Sequence, residues 1–283
     1  DANIVEEVRK VHKYQVAFRQ LMDEYENAGM LPVHQSGFIS LEKQFLTIGI
    51  NGMAEAAESR GIEVGNNPSY KNFVNKYLKA IYQENRAAKQ EYGYMFNTEF
   101  VPAENLGIKN AKWDREDGLF VPRDCYNSYF YVVEDENITS LDKIMLHGKE
   151  IIQYLDGGSA LHLNLEETPN KDGFIKLIHA TAKAGCNYFC FNIRITICNE
   201  CEHIDKRSLD ECSKCNSQNV DHATRVIGYL KRVSNFSSGR QKEHRLRHYH
   251  LQHNERNPAN KKMEEKEERL QGHQIADSVK NEK

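Results

Sequence analysis

The sequence lacks an excess of charge of either sign. Its 283 residues carry 38 lysines and arginines against 41 aspartates and glutamates, which gives a formal net charge of −3. A protein that binds nucleic acid or an anionic membrane through electrostatics usually carries a basic surplus. The composition therefore argues against direct nucleic-acid binding as the main role of the chain.

The sequence also lacks a long apolar run and a signal peptide. No segment approaches the roughly 20 apolar residues of a membrane-spanning helix, so we expect no membrane association. The chain begins at Asp1 rather than Met, and we expect a fragment, a processed piece or one part of a split enzyme. An odd number of cysteines, seven, without a secretory leader predicts a reducing, cytoplasmic location rather than a disulfide scaffold.

What is present indicates an α/β protein, beginning with helices. Apolar residues at helical spacing predict a long first helix that stops near Gly29, with this inner face: Val8, Val11, Phe18, Met22 and Tyr25. Residues 37–50 are predicted to form a short strand or to begin a second helix that runs to about Arg60. A third helix follows Pro68-Ser69, has an apolar stripe over residues 70–81 and ends at Gly93, and residues 94–101 are predicted to form a strand.

A strand–helix–strand unit is predicted over residues 160–197. Leu161, Leu163 and Leu165 alternate with polar residues, which is typical of a strand. A helix over residues 172–184 follows, with Phe174, Ile175, Leu177 and Ile178 inward and Gly185 at its end. Residues 187–197 form the second strand. Such a unit predicts a parallel pair of strands joined by a right-handed crossover.

Four of the cysteines have the spacing of a metal site. Cys198 and Cys201 form one CxxC pair, and Cys212 and Cys215 form a second after ten intervening residues. Each pair can direct two thiolates at one ion, and two pairs complete a tetrahedral four-sulfur shell. Zinc suits this shell best, although iron would also fit. Because protein ligands fill all four positions, the predicted site is structural, and His203 nearby is not needed as a ligand.

The segment after these cysteines carries a resemblance to a known family. Gly228 lies thirteen residues after Cys215, within the sequence Arg225-Val-Ile-Gly-Tyr229, and the strand before the cysteines contains Tyr188-Phe-Cys-Phe-Asn192. The Tyr-Phe-x-x-Asn strand, two CxxC pairs and Arg-Val-x-Gly-Tyr loop together resemble the C-terminal part of the anaerobic (class III) ribonucleoside-triphosphate reductases. The similarity extends, less specifically, through residues 37–60 and 94–166.

The resemblance implies a fold, a reaction and partners. The fold would be the C-terminal part of a ten-stranded α/β barrel of the glycyl radical enzyme type. Gly228 would carry the radical, installed by a radical-SAM activase that uses S-adenosylmethionine. The glycyl radical would generate a thiyl radical on a cysteine, which takes the 3′-hydrogen of a ribonucleoside triphosphate and leads to the deoxyribonucleotide. The complete enzyme would be a homodimer.

The resemblance also implies what this chain does not contain. In the family, the thiyl cysteine lies on a finger loop N-terminal to the matched region. Cys125, Cys186 and Cys190 match no part of that loop. We therefore expect activity only together with an N-terminal portion of the reductase. Glu202 and Asn216 stand after the two CxxC pairs, where glycine is common in the family. The reductant, formate or a thioredoxin-like protein, stays open, as do the preferred nucleotide and effectors.

These interpretations divide the chain into four regions. Residues 1–197 are predicted to form the C-terminal portion of the α/β catalytic barrel, and residues 198–216 the zinc-binding knuckles, which are the two CxxC pairs. Residues 217–240 would be the glycyl radical loop and residues 241–283 a charged, mobile tail. Two other functions compete with a split reductase. One is a zinc-ribbon nucleic-acid-binding module, supported by the CxxC pairs and the basic run 240–248. The other is a spare-part subunit that supplies a fresh glycyl loop, which the large body before the cysteines disfavours.

Overall fold

The computed structural model describes residues 2–100, 103, 105–165, 168–225 and 230–246. Within these residues the chain forms two four-stranded sheets and nine α-helices. The strands are β1 (Leu46–Gly49), β2 (Phe96–Phe100), β3 (Gly158–Leu165), β4 (Tyr188–Ile193), β5 (Ile195–Cys198), β6 (Ile204–Asp205), β7 (Val220–Arg225) and β8 (Leu230–Arg232). The helices are α1 (Ala2–Asn27), α2 (Pro32–Gln35), α3 (Met53–Glu58), α4 (Pro68–Tyr92), α5 (Leu106–Glu116), α6 (Ser140–Leu146), α7 (Lys149–Ile152), α8 (Lys171–Ala184) and α9 (Ser238–Leu246).

The first sheet is parallel and has the strand order β1-β2-β3-β4. Its strands follow the chain order, so each neighbouring pair is joined by a helical crossover. The prediction of a parallel pair around the helix at 172–184 is confirmed, because residues 160–165 of β3 pair with residues 188–193 of β4. The mixed α/β class is likewise confirmed.

Local signals fix the ends of the main helices. The side chain of Asn67 accepts a hydrogen bond from the Tyr70 N–H at the start of α4, and Gly93 ends that helix with a φ of 77°. Asn170 caps α8 in the same way, and Gly185 ends it with a φ of 84°. These are the usual roles of an asparagine N-cap and of a glycine after the last turn.

The second sheet is antiparallel and has the order β6-β5-β7-β8. It includes Cys198, the last residue of β5, and the strands on either side of residues 226–229, while Cys201, Cys212 and Cys215 lie in the turns and loops between its strands. The predicted single strand over residues 187–197 is wrong, because the chain changes sheet at Arg194. Residues up to Ile193 pair with β3, whereas residues from Ile195 pair with β7. The Arg194 side chain donates a hydrogen bond to Ser208 Oγ at 2.6 Å, and Ser208 lies between the two CxxC pairs.

The main core lies between the parallel sheet and its helices. It includes Leu161 and Leu163 of β3, Leu78 of α4 and a segment that the sequence analysis left unassigned, residues 129–133. In that segment Phe130 stacks on Phe100 of β2, with ring centroids 4.0 Å apart.

Two predicted inner faces differ from the structure. The predicted row on α1 is largely exposed, and only Val8 of its members is buried. The buried row of α1 is instead Val8, His12, Val16 and Arg19. On α8, Ile175 and Ile178 are exposed, whereas Phe174 contacts Phe191 of β4. For residues 37–60 the sequence allowed either a short strand or the beginning of a helix. The structure has the strand β1 followed by the short helix α3.

Candidate metal centre and adjacent loop

The two CxxC pairs come together at one end of the antiparallel sheet. The four sulfur atoms of Cys198, Cys201, Cys212 and Cys215 all lie within 4.8 Å of one another. Cys198 Sγ is 3.6 Å from Cys215 Sγ, and Cys201 Sγ is 3.6 Å from Cys212 Sγ. A zinc–sulfur bond of about 2.3 Å places tetrahedral sulfurs about 3.8 Å apart. The geometry therefore fits a four-cysteine zinc site.

Both CxxC turns have the same backbone form. Glu202 follows the first pair with a φ of 58°, and Asn216 follows the second with a φ of 56°. Among the described residues these are the only non-glycine positions with positive φ. Backbone N–H groups point at the sulfurs: the Cys201 N–H approaches Cys198 Sγ, and the Lys214 N–H approaches Cys212 Sγ, each at 3.4 Å. The left-handed residues allow the chain to turn this tightly around an ion.

Without a cation the four thiols cannot all ionise. Burial opposes ionisation of Cys212, but the backbone N–H groups of Cys215 and Lys214 outweigh it and lower the pKa of the Cys212 thiol to about 6. At Cys215 the backbone N–H of Ser217 favours the thiolate, but the neighbouring thiol of Cys201 and desolvation raise the pKa of Cys215 to about 12. Four thiolates at this spacing repel one another, so a dication is the natural partner of the site.

The predicted radical residue, Gly228, lies outside the described residues. The strands on either side of residues 226–229 are described and pair with each other, Arg225 opposite Leu230. The same β7 strand pairs with β5, whose last residue is Cys198. Arg232 of β8 also donates to Asn199 Oδ1, within the first CxxC pair, at 2.6 Å. The cysteine cluster and the two strands thus form one continuous unit.

The chain that follows β8 is fixed to the α/β body by helix α9. Arg240 donates to the carbonyl oxygen of Ala103 at 2.7 Å, and Ser237 donates to Asn105 Oδ1 at 3.2 Å. Lys242 forms an ion pair with Asp124. A Cβ on Gly239 would collide with Ile108 of α5, so the two helices approach closely. Residues 241–246 of the predicted tail belong to α9, and residues 247–283 lie outside the described part.

The polar face of β3 and β4 is a feature that the sequence analysis missed. His162, Asn164 and Asn192 are all buried, although they alternate with apolar residues as on a solvated sheet face. Asn192 Nδ2 donates to Asn164 Oδ1 at 3.2 Å across the strand pair. Tyr129 and Tyr131 cover this face: their hydroxyl groups lie 3.0 Å from His162 Nδ1 and 2.9 Å from the His162 carbonyl oxygen, respectively.

The sequence did contain a signal for this covered face. The run of aromatic and branched residues at 129–133 is too apolar for a solvated loop and needs a surface to pack on. A parallel sheet is normally covered by other elements on both faces, so the polar face of β3 also needs a cover. The apolar run at 129–133 is a segment that could provide it.

Within the described residues, the three remaining cysteines, Cys125, Cys186 and Cys190, do not belong to the four-cysteine group. The Cys186 thiol donates to the Ile144 carbonyl oxygen at 3.4 Å, and burial raises its pKa to about 11. Burial also raises the pKa of Cys190, against a smaller opposing effect of Arg225 at the end of β7. The Cys190 thiol lies 3.7 Å from Asn192 Oδ1. Half-buried thiols with a raised pKa agree with a structural role for Cys186 and Cys190.

Comparison with known proteins identifies the class. A sequence model of the anaerobic ribonucleoside-triphosphate reductases matches residues 2–250, so the chain belongs to that family. No curated protein matches the chain. A solved structure described as an anaerobic ribonucleotide reductase is 28% identical, with a TM-score of 0.81, over 89% of this chain and 41% of the other.

Related structures come from Thermotoga maritima. The anaerobic ribonucleotide reductase of that organism, in complex with dATP and CTP, is 27% identical with a TM-score of 0.75, over 87% of this chain and 40% of the other. The same enzyme with MES in the active site is 29% identical with a TM-score of 0.75, over 83% and 40%. This chain thus spans about two fifths of the reductases that it matches. Among the described residues, no helix combines the length and apolar character that crossing a membrane requires.

Proposed function

We propose that this chain is the C-terminal portion of an anaerobic ribonucleoside-triphosphate reductase and supplies its radical glycine, Gly228. The observation that carries the proposal is the family match, which includes both the four-cysteine cluster and the Arg225-to-Tyr229 motif. The parallel sheet β1–β4 would be part of the ten-stranded barrel of the complete enzyme.

The proposed role of the metal is structural. Zinc held by Cys198, Cys201, Cys212 and Cys215 has all four positions filled by protein, so it offers no open position to a substrate. It would stabilise the two tight CxxC turns. The second of them precedes β7, and the first contacts β8 through Asn199. In this way the metal and the Arg232–Asn199 hydrogen bond would fix the base of the segment that contains Gly228.

Glycine is the residue that this chemistry requires. Removal of one α-hydrogen leaves a radical that is delocalised over the adjacent amide nitrogen and carbonyl group, and this needs a planar centre. A side chain would crowd that plane and the narrow approach to a barrel interior, whereas glycine has no Cβ. We propose that a radical-SAM activase takes this hydrogen, using S-adenosylmethionine.

The remaining steps need groups that this chain does not supply. The radical on Gly228 would take a hydrogen atom from a cysteine in the N-terminal portion, and the resulting thiyl radical would take the 3′-hydrogen of a ribonucleoside triphosphate. Loss of the 2′-hydroxyl as water and reduction by an external reductant would complete the reaction. We therefore propose that the chain acts with that N-terminal portion, in a homodimeric enzyme, and does not reduce nucleotides alone.

Electron paramagnetic resonance tests the assignment of Gly228. The chain, completed by its N-terminal portion, is incubated anaerobically with activase, S-adenosylmethionine and a reductant. We expect a doublet, because one α-hydrogen remains on the radical carbon, and we expect Gly228→Ala to abolish it. Exposure to air should then release a C-terminal piece of 55 residues (283 − 228). A doublet that persists in Gly228→Ala, or cleavage at another glycine, would refute the assignment.

Elemental analysis tests the metal. We expect about one zinc per chain, and loss of most of it in Cys212→Ser, with the α/β body still folded. Replacement of Cys186, whose thiol lies outside the cluster, serves as the control and should leave the zinc content unchanged. Gently purified protein without zinc or iron would contradict the proposed site.

A further inference from the structure

The end of β7, which leads into the segment that contains Gly228, lies far from the cysteine cluster. Val220 at the start of β7 pairs with Cys198, whereas Arg225 is the last residue of the strand. Extended chain rises about 3.4 Å per residue, so Arg225 lies about 17 Å along the strand from Val220. A metal at the cluster fixes the start of β7, and the end of the strand needs a second point of attachment.

That attachment lies on β4 of the parallel sheet. Strand β7 contacts β4, and Ala223 and Thr224 near the end of β7 are buried. The Arg225 side chain forms a hydrogen bond with the Cys190 thiol. Because a guanidinium has no acceptor, the sulfur accepts this bond. One side-chain contact thus joins the end of β7 in the antiparallel sheet to β4 in the parallel sheet.

Cys190 continues this contact into the polar face of β3 and β4. It pairs with His162 in the strand register and lies two residues from Asn192, so it belongs to the same face. Its thiol donates to Asn192 Oδ1 at 3.7 Å, and Asn192 Nδ2 donates to Asn164 Oδ1 at 3.2 Å. The hydrogen bonds therefore run in one direction, from Arg225 through Cys190 to Asn164.

The Cys190 thiol has to keep its proton for this chain of hydrogen bonds. Burial raises the pKa of Cys190 against a smaller opposing effect of Arg225, so the thiol is protonated at neutral pH. A protonated thiol can accept from the guanidinium and donate to Asn192 at the same time. Asn192 is 1% and Asn164 2% exposed, so bulk water does not compete for the inner bonds.

We propose that Arg225 is a positioning residue for Gly228 and that it acts through Cys190. This inference rests on the proposed function and adds the residues that hold the radical segment. Only two residues separate Arg225 from Gly228, so freedom at the end of β7 passes directly to the glycine. The cysteine cluster and helix α9 hold the more distant parts of the unit, whereas the contact with Cys190 holds the end of the strand itself.

Amide hydrogen–deuterium exchange in the unactivated 283-residue chain tests the contact, followed in the peptide that covers residues 226–229. Cys190→Ala removes both the acceptor and the donor, whereas Cys190→Ser keeps both. We expect at least about fivefold faster exchange for Cys190→Ala and less than a twofold change for Cys190→Ser, since hydrogen bonds to charged groups are among the stronger ones. Cys186→Ala is the control and should change nothing, because its thiol donates to the Ile144 carbonyl oxygen.

The double variant Arg225→Met/Cys190→Ala tests whether the two residues act through one another. Arg225→Met alone should speed exchange at least as much as Cys190→Ala, and the double variant should add less than about twofold to it. Equal exchange in Cys190→Ala and Cys190→Ser, or effects that multiply in the double variant, would overturn the proposal. Should Cys190→Ala fail to fold, Arg225→Met takes its place, and exchange as slow as in the unsubstituted chain would again overturn it.

The yield of the radical separates this proposal from the proposed function. In the completed and activated enzyme the doublet per chain should fall at least about fivefold in Cys190→Ala and recover in Cys190→Ser, with the zinc content unchanged. A full yield in Cys190→Ala would overturn the positioning role and leave the reductase assignment standing. If exchange changes as expected but the unsubstituted enzyme forms no radical on Gly228, the contact between Arg225 and Cys190 stands and the proposed function fails.

Discussion

Arg123 joins three carboxylates in the α/β body, and its removal should be one of the most destabilising single changes in the described structure. Its guanidinium donates to Glu55 Oε1 at 2.6 Å, to both carboxylate oxygens of Glu58 at 2.6 and 2.8 Å, and to Glu134 Oε1 at 3.0 Å. Glu55 is only 3% exposed and also accepts hydrogen bonds from Asn127. The cluster therefore ties α3 to the segment that covers β3.

The expected magnitude follows from the burial of the partners. Burial disfavours the charge on Arg123, but the hydrogen bond to Glu58 and the charge of Glu55 outweigh it and raise the Arg123 pKa. Removing one partner of a buried ion pair costs about 3–5 kcal/mol, because the other charge stays buried without compensation. Glu58 and Glu134 are partly exposed and can be solvated by water, so we expect the lower end, about 3 kcal/mol, for Arg123→Met.

Denaturant unfolding measures this loss, with Arg115→Met as the matched control. Arg115 pairs with Asp124 at 2.8 Å, but both side chains are more than half exposed, so its removal should cost less than about 1 kcal/mol. In a Glu55→Gln background the cost of Arg123→Met should fall by about 1–2 kcal/mol, since the buried charge is then absent. Equal losses for Arg123→Met and Arg115→Met, or strict additivity with Glu55→Gln, would refute this reasoning.

Three further predictions concern other parts of the chain. Gly107→Ala should destabilise by about 1–3 kcal/mol in urea unfolding despite the better helix propensity of alanine, because a Cβ there would lie 2.5 Å from the Tyr126 carbonyl oxygen. Burial, with a smaller effect of His162, lowers the pKa of His147 to about 3. The unfolded chain then binds a proton that the folded chain does not, so stability should fall by about 1.4 kcal/mol per pH unit from about pH 6.5 toward 3, and less steeply in His147→Gln. Glu202→Val should speed the transfer of zinc to a coloured chelator, whereas Glu202→Gly should not, because a branched residue disfavours a φ of 58°.

The elements that the sequence predicts well are those with local causes. Asn67, Pro68 and Gly93 fix the ends of α4 through interactions within a few residues, and the structure has that helix where those residues indicate. The spacing of the two CxxC pairs likewise predicts a cluster, because two residues between cysteines set the local turn. Both properties depend on backbone geometry close in sequence rather than on long-range pairing.

The features that escaped prediction depend on partners far along the chain. Helix α1 has two rows of residues that could pack against the body of the protein. The buried row contains His12 and Arg19, and because these residues are polar the sequence does not indicate that this row is buried. His12 is buried because its Nε2 lies 2.8 Å from Asn85 Oδ1 on α4, a residue 73 positions away. The change of sheet at Arg194 is hidden for the same reason: residues 187–197 have a continuous strand pattern, and only pairing with β3 or β7 divides it.

A glycine at an active centre must be held in position by the chain segments on either side of it. Glycine has the widest conformational freedom of any residue, and fixing one backbone residue costs about 1–2 kcal/mol. In this protein the segment before Gly228 is held by β5 and the cysteine cluster, and the segment after it by hydrogen bonds to Asn199, Asp221 and Asn105. If Gly228 carries the radical as we propose, these contacts would have to be strong enough to offset the freedom of the loop. Zinc loss and the Lys242→Ala change, at opposite ends, should then each reduce the yield of the radical without altering the fold of the parallel sheet.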